Sequence, residues 1–375
     1  MRIAIVHYWD IFEPGGINRN ILESSRTLGD LGNEVTIFHP SVSDVEDRQI
    51  SNSVKVKQLP KTLFPPPMNT SRRFLRRLLS EIAKSEPQII HFHSHMNLLS
   101  HSAINITRRR FKKIPIVFSP HFDISLSTKW IRSFFPLFNL TVGKRSLLQA
   151  DHVVFNSEFE KGAYEKSVGK TRNSSIIAPG IDWEPIARDR KWNDELVLIF
   201  CGHAIKRKRP DRYVRLISEL SKLGQKDGIR VRGKFASEGP EKIACMEKAE
   251  ELGISEYIDW LPFLPREVMV EAISSADYFV LLSDSEAYGI SVAEAISLGT
   301  PAIISNNTAL TEFSSNRGVI LIDKPDDMEY NAQKIISLRA KETRVETTAQ
   351  TNIVTWDEMG EKLSNMYAET IHSKM

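Results

Sequence analysis

The stretch SDSEAYGISVAEAISLGTPAIIS, residues 283–305, places two glutamates, Glu286 and Glu294, on either side of Gly289. The apolar run DYFVLLS before it reads as a buried strand ending at Ser283. Glu286-Ala-Tyr-Gly289 is then the loop after the strand's carboxyl end. Ser291 opens a helix that Gly299 ends and Pro301 keeps from continuing. The amides around Gly289 to Val292 would point outward at a helix N-terminus, an arrangement suited to phosphate. Glu286 lies just outside that terminus and Glu294 about one turn inside. The local alternative is a capping box, Ser291-x-x-Glu294, in which Glu294 returns to the helix's first N–H. For Glu286 it is a solvated loop carboxylate. Amides for phosphate and carboxylates for sugar hydroxyls together make a sensible receptor for a sugar nucleotide.

Other groups with chemical capacity lie elsewhere. His121 sits in SPHF at the end of a strand. His91, His93 and His95 alternate along a strand and its exit, a metal-like pattern, yet no carboxylate or cysteine completes the set. His91 reads as a packing group and His93 and His95 as cleft or loop groups. Gly15 and Gly16 follow Pro14 and precede a helix, which reads first as a tight turn. The chain has no Asp-x-Asp, no Gly-x-Ser-x-Gly, no P-loop lysine motif and no zinc-ligand spacing.

The elements that position these groups alternate along the chain. RIAIVHY, EVTIFHP, VKVKQL, QIIHFH, PIVFSPH, HVVFNS and SIIAP read as strands of a first domain. Residues 181–195 read as an irregular linker. LVLIFCG, VRGKF, IDWLPF, DYFVLL, PAIIS and VILID then form a second set, with helices at 211–223, 240–252 and 292–298. Near-continuous apolar strands linked by helices indicate parallel sheets covered on both faces. The expected fold class is therefore α/β, two Rossmann-like, doubly wound domains over residues 1–185 and 195–350, with ligands in an interdomain cleft at the strand ends. A last helix over 356–375 is expected to cross back to the first domain.

Composition narrows the function further. The 375 residues are 26% charged and 41% hydrophobic, an ordinary globular balance. Two cysteines, Cys201 and Cys245, exclude a disulfide framework. A net charge of +3 is too small to argue for nucleic acid. No apolar run is long enough to span a bilayer, and MRIAIVHYWD reads as a strand rather than a leader, so a cytoplasmic protein is expected. The clusters Arg72, Arg73, Arg76, Arg77 and Arg108 to Lys113, with the apolar run WIRSFFPLFNL at 130–140, allow peripheral membrane contact through the N-terminal domain. Solvated faces are the plainer alternative.

The ordered set Gly15-Gly16, PQIIHFHSH, IPIVFSPHF, ADHVVFNSEFEK, APGID, FCGHAIKRKRP and EAYGISVAE resembles the retaining glycosyltransferases of the GT-B fold, family 4, over nearly the whole chain. The resemblance implies that EAYGISVAE is their Glu-x7-Glu motif. Glu294 would then bind donor ribose and Glu286 the donor hexose, assisted by the amides of Tyr288, Gly289 and Ile290. Ser291 and Val292 would offer amides to the diphosphate. Gly202, His203 and Lys208 fall where the family carries Gly-Arg…Lys, so Lys208 would be the diphosphate cation. His203 stands in the usual arginine position without a guanidinium's fixed charge and forked donors, and Lys206 or Arg207 would share its task. A solvated helix entrance is the plain reading of this basic run. His121 would face the transferred sugar, with Phe122 where a glycine is common. The Gly15-Gly16 loop would approach donor phosphate or acceptor.

The implied activity is a metal-independent hexosyltransferase with no obligatory cofactor. Its donor would be a UDP- or GDP-sugar, UDP favoured. Its acceptor would be a glycan, a lipid-linked sugar or a small metabolite, in polysaccharide or glycoconjugate synthesis. Competing readings are a GT-B sugar-nucleotide epimerase and a non-catalytic sugar-nucleotide-binding subunit.

Overall fold

The computed structural model describes residues 1–40, 48–60, 71–122, 135–182, 188–191, 194–341, 344–347 and 353–375. Residues 130–134 of the apolar run fall outside that set. The chain divides into two compact units: Met1–Gly180 with Val354–Met375, and Ile181–Ile353.

The first unit holds an eight-stranded sheet. Its strands are β1 (Arg2–Val6), β2 (Glu34–Pro40), β3 (Arg48–Ser51), β4 (Val54–Leu59), β5 (Ile89–His93), β6 (Ile116–Ser119), β7 (His152–Phe155) and β8 (Ser174–Ile176). Their order is β3-β4-β2-β1-β5-β6-β7-β8. All neighbours are parallel except β3 against β4. Side chains alternate between faces, as strand geometry demands. Ile3 and Ile5 join the core on one face, while Ala4 and Val6 join the core on the other. Both faces are thus apolar, and helices cover both.

The helix Trp356–His372 belongs to the first of these faces. Thr355 caps it with a complete capping box to Glu358. Trp356, Met359, Leu363, Met366 and Tyr367 lie in the same core as Ile3, Ile5, Ile21 and Leu28. The Tyr367 hydroxyl reaches His91 Nδ1 at 2.6 Å. Gly360 lets this helix approach the helix Gly16–Asp30, since a Cβ there would sit 2.2 Å from Thr27 Cγ2.

The basic runs of this unit differ. Arg72, Arg73, Arg76 and Arg77 line the exposed face of the helix Arg72–Ser85, whose other face buries Phe74, Leu78 and Ile82. Arg108 is a structural group instead. Its guanidinium donates to the carbonyls of Gln149 and Ile114 and pairs with Asp151, so it drops out of the basic surface expected to meet a membrane.

The second unit holds a six-stranded parallel sheet of β10 (Glu195–Cys201), β11 (Arg230–Ala236), β12 (Ile258–Leu261), β13 (Tyr278–Leu281), β14 (Ala302–Ser305) and β15 (Val319–Ile322). The order is β12-β11-β10-β13-β14-β15. In chain order of the sheet this is 3-2-1-4-5-6, the Rossmann order, which reverses between β10 and β13. β9 (Arg188–Lys191), which occupies part of the segment read as an irregular linker, pairs antiparallel with β16 (Arg344–Thr347). RDRK carries no apolar alternation, so nothing in its sequence marks it as a strand. Residues 183–187 and 192–193 of that segment lie outside the described set.

Replacing Gly360 by alanine should lower the free energy of unfolding by about 1–3 kcal/mol, because the added methyl must displace Thr27. Urea titration measures it; an unchanged midpoint would mean that this helix does not dock as described.

Candidate active site

The strand-order reversal in the second unit fixes which loops can meet, namely those after β10 and β13. β10 ends at Cys201, and Gly202 follows with φ 134°, its carbonyl accepting from the Ser237 hydroxyl. His203 is exposed. Lys206–Lys208 make one short 3-10 turn, and Arg209, with φ 50°, joins it to the helix Pro210–Asp227. A left-handed arginine is strained. Its side chain is held by Asp211 at 2.9 Å and by Asp284 and Asp326 at 3.3 and 3.2 Å. Arg212, buried beneath, donates to the Leu282 carbonyl at 2.8 Å and pairs with Asp284 and Asp326 at 2.7 Å each. The Asp211 hydrogen bond leads the effects that hold the Arg209 pKa above its ordinary value.

The two loops are also joined directly. The Asp284 amide donates to the Arg207 carbonyl at 2.8 Å, and the Arg207 guanidinium donates to the Ser285 carbonyl at 3.2 Å. Glu286 lies inside this junction, 7% exposed. Lys208 Nζ stands 3.1 Å from its Oε1 and Arg207 Nη1 3.5 Å from its Oε2. Burial pushes the Glu286 pKa up, but Lys208 and then Arg207 outweigh it and hold the carboxyl below its usual range. Two cations against one carboxylate leave local positive charge.

Gly289 caps the helix Ile290–Ser297 with φ 104°. The helix therefore starts one residue before Ser291, and no side chain caps it. The capping box expected as the alternative for Glu294 is absent. Among the described residues, the amides of Tyr288, Gly289, Ile290 and Ser291 meet no acceptor. The Val292 amide does, donating to the Gly289 carbonyl at 2.9 Å. This corrects the expectation that Val292 offers its N–H outward, because the first helical turn already uses it. The Tyr288 ring packs edge-on against Phe313, so only its backbone faces the loop. Glu294, 4% exposed, is met by Arg266 Nη2 at 2.5 Å.

Sequence reasoning missed Arg266, Arg212 and Asp326. Their partners lie 28 to 117 positions away, beyond any local pattern.

In the first unit, His121 follows β6 with φ 46°. Phe122, the departure from the usual glycine, leaves that strained conformation to the histidine before it. The buried Glu160 fixes the turn, accepting the amides of Phe122 and Asn156 at 2.7 Å each. Both His121 ring nitrogens are engaged. Asn156 Nδ2 donates to Nδ1 at 3.1 Å, and Nε2 lies 2.9 Å from His93 Nδ1. With Nδ1 accepting, the proton sits on Nε2 and is directed at His93. Burial lowers the His121 pKa to about 4, so the ring is neutral at pH 7. His95 does not belong to this group. It is fully buried, bonded to Asn139 at 3.0 Å and ringed by His101, Phe122 and Tyr164, a core role instead of the expected cleft or loop role. Gly15 caps the helix Gly16–Asp30 in extended backbone with open space around it, so nothing in the chain itself demands glycine there. Among the described residues no group of three or more His, Cys, Asp or Glu could hold a metal.

Two family models match the chain, "Glycosyltransferase Family 4" over residues 14–184 and "Glycosyl transferases group 1" over residues 183–352. The GDP-mannose-dependent alpha-(1-6)-phosphatidylinositol dimannoside mannosyltransferase of Mycobacterium tuberculosis is 26% identical over 223 residues, 56% of this chain and 56% of that protein. That match spans little more than half the relative's length. The D-inositol 3-phosphate glycosyltransferase of Nocardia farcinica is 26% identical over 344 residues, 81% of this chain and 74% of that one. Among solved structures, sucrose-phosphate synthase from Thermosynechococcus elongatus superposes with a TM-score of 0.80 at 17% identity, over 99% of both chains. Anabaena HepE in complex with UDP and glucose gives 0.71 at 13% identity, over 98% of this chain and 100% of that one. These likenesses establish the GT-B fold.

Gly289→Ala should cost about 1–3 kcal/mol of stability, because the position needs positive φ and an added Cβ would stand 2.4 Å from Leu310 Cδ2; thermal melts measure it, and an unchanged melting temperature would exclude this loop geometry. A second outcome concerns pH. Burial lowers His121 to about 4, and burial followed by the nearby His121 charge lowers His7 and His91 to about 3. The unfolded chain therefore binds protons first. Stability is full above pH 6.5 and is lost as pH falls through the folded values near 4 and 3. Urea midpoints should drop steadily over that window, and a flat profile would contradict the buried neutral rings.

Proposed function

The chain belongs to the family 4 glycosyltransferases, and we propose that it moves a hexose or related sugar from a nucleoside diphosphate sugar to a glycan, lipid-linked or small-molecule acceptor, with retention at the anomeric carbon. The observation that carries this is the row of open amides from Tyr288 to Ser291, set beside buried Glu286 and its two cations at the strand-order reversal.

Under this reading the Ile290 and Ser291 amides hold the diphosphate, because a helix head favours negative charge. Lys208 has three donors, so it can keep Glu286 and take a phosphate oxygen together. As the sugar–phosphate bond breaks, charge grows on the departing oxygen, and these groups already face it. Glu286 accepts hydroxyls of the donor ring, and Glu294 those of the ribose. Two ion pairs make Glu286 a poor nucleophile, which supports acceptor attack on the face the diphosphate leaves, the departing phosphate oxygen taking the acceptor hydroxyl's proton and no covalent intermediate forming. His121, neutral and held by His93 and Asn156, is the first unit's candidate for meeting a sugar. Gly202, with its positive φ, turns the chain out of β10 into the loop that carries Lys208. Exposed His203 leaves Arg207 as the second cation.

Lys208, Arg207 and the amides carry the diphosphate charge in this proposal, so activity is metal-independent. UDP-sugars are the first donors to test and GDP-sugars the second. The four exposed arginines of the helix Arg72–Ser85 would give peripheral contact with an anionic membrane carrying a lipid-linked acceptor. No described helix is long and apolar enough to cross a membrane.

Glu286→Ala and Lys208→Ala should each lower kcat about 100-fold or more while donor affinity falls less, which turnover with the donor chosen by a thermal-shift panel would measure. Loss of affinity with kcat intact would favour a binder. Activity should survive EDTA, and restoration of lost activity by Mg2+ or Mn2+ would refute metal independence. The anomeric configuration of the product, read by NMR, tests retention.

A further inference from the structure

Arg266 opens the helix Arg266–Ser275. A cation there meets the positive end of the peptide dipoles, an unfavourable place for it, which Glu267 in the first turn offsets only locally. Helix formation does not account for the residue. Two carboxylates from other parts of the second unit do. Arg266 Nη2 lies 2.5 Å from Glu294 Oε1 and 2.5 Å from Asp182 Oδ2. The group passes from solvent to interior, with the side chains of Asp182 and Arg266 35% and 37% exposed and that of Glu294 only 6%.

We propose that Arg266 is the positioning residue for the carboxylate that receives the ribose, and thereby sets preference for ribonucleotides over 2′-deoxyribonucleotides. This rests on the donor reading above. A carboxylate has about four acceptor positions, enough in number for a guanidinium N–H and two ribose hydroxyls. Arg266 therefore fixes the plane of Glu294, the carboxylate that would receive the two ribose hydroxyls. Asp182 is the second anchor. Pulled from both sides, the guanidinium is kept from turning wholly onto Glu294, where a two-pronged pair would use both oxygens. Lysine reproduces this only in part, because an ammonium on a flexible stem can meet both carboxylates but lacks the fixed plane of a guanidinium.

The test is calorimetric titration of UDP, GDP and their 2′-deoxy forms into wild type, Arg266→Ala, Arg266→Lys, Asp182→Asn and Glu294→Gln. Circular dichroism and melting curves check each fold. Arg266→Ala should bind the preferred ribonucleotide about tenfold more weakly, shrink the ribo-to-deoxy ratio toward unity, and raise donor KM far more than it lowers kcat. Arg266→Lys should recover only part of the affinity. Asp182→Asn should move the ratio the same way by less, and it carries the test if Arg266→Ala fails to fold. Folded variants with wild-type affinity and ratio, or with tighter binding, would overturn the proposal. If Glu294→Gln loses affinity while the Arg266 and Asp182 variants do not, this inference fails alone. If Glu294→Gln also binds like wild type, the donor reading fails with it.

Discussion

The second unit depends on keeping one buried carboxylate ionised. Glu286 sits where burial would favour its neutral form, and Lys208 and Arg207 reverse that preference. The rest of the loop architecture follows from delivering those cations. Arg209 accepts a strained backbone so that the short turn before it points two basic side chains at Glu286. The Asp211, Asp284 and Asp326 carboxylates hold Arg209 and Arg212 in place beneath. The Rossmann strand order brings the two loops side by side, and the Asp284–Arg207 backbone bond fixes their register.

The first unit solves a different electrostatic problem. Its strand ends are rich in histidine, yet burial keeps His7, His91, His93 and His121 uncharged at neutral pH. Each ring then offers one donor and one acceptor, and orientation becomes a matter of partners. Asn156 settles it for His121, and Tyr367 and Ser119 bracket His91. A neutral, hydrogen-bonding floor suits hydroxyl-rich ligands, whereas the second unit concentrates charge.

Much of this was legible in the sequence because the parallel strands are buried on both faces and therefore read as continuous apolar runs. Glu286, Gly289, Glu294 and Lys208 were legible as a set because one loop and one turn hold them in local order. The start of the helix after Gly289 was not. Ser291-x-x-Glu294 has capping-box spacing, but the left-handed Gly289 starts the helix earlier and Arg266 claims the glutamate. Spacing records local options, and a distant partner chose among them. The β9–β16 pair escaped for a related reason, since its highly charged first strand is defined by its neighbour and not by any pattern of its own.

The helix Trp356–His372 completes a core begun by the first strands of the chain, with Tyr367 bonded to His91 across 276 positions. The unit started first is thus finished last. During synthesis Ile3, Ile5 and Ile37 must wait with one apolar face covered only in part, by the helix Gly16–Asp30, while the whole intervening unit emerges. Until the helix Trp356–His372 emerges, that greasy surface is open to chaperones, and docking of the helix is the event that seals it.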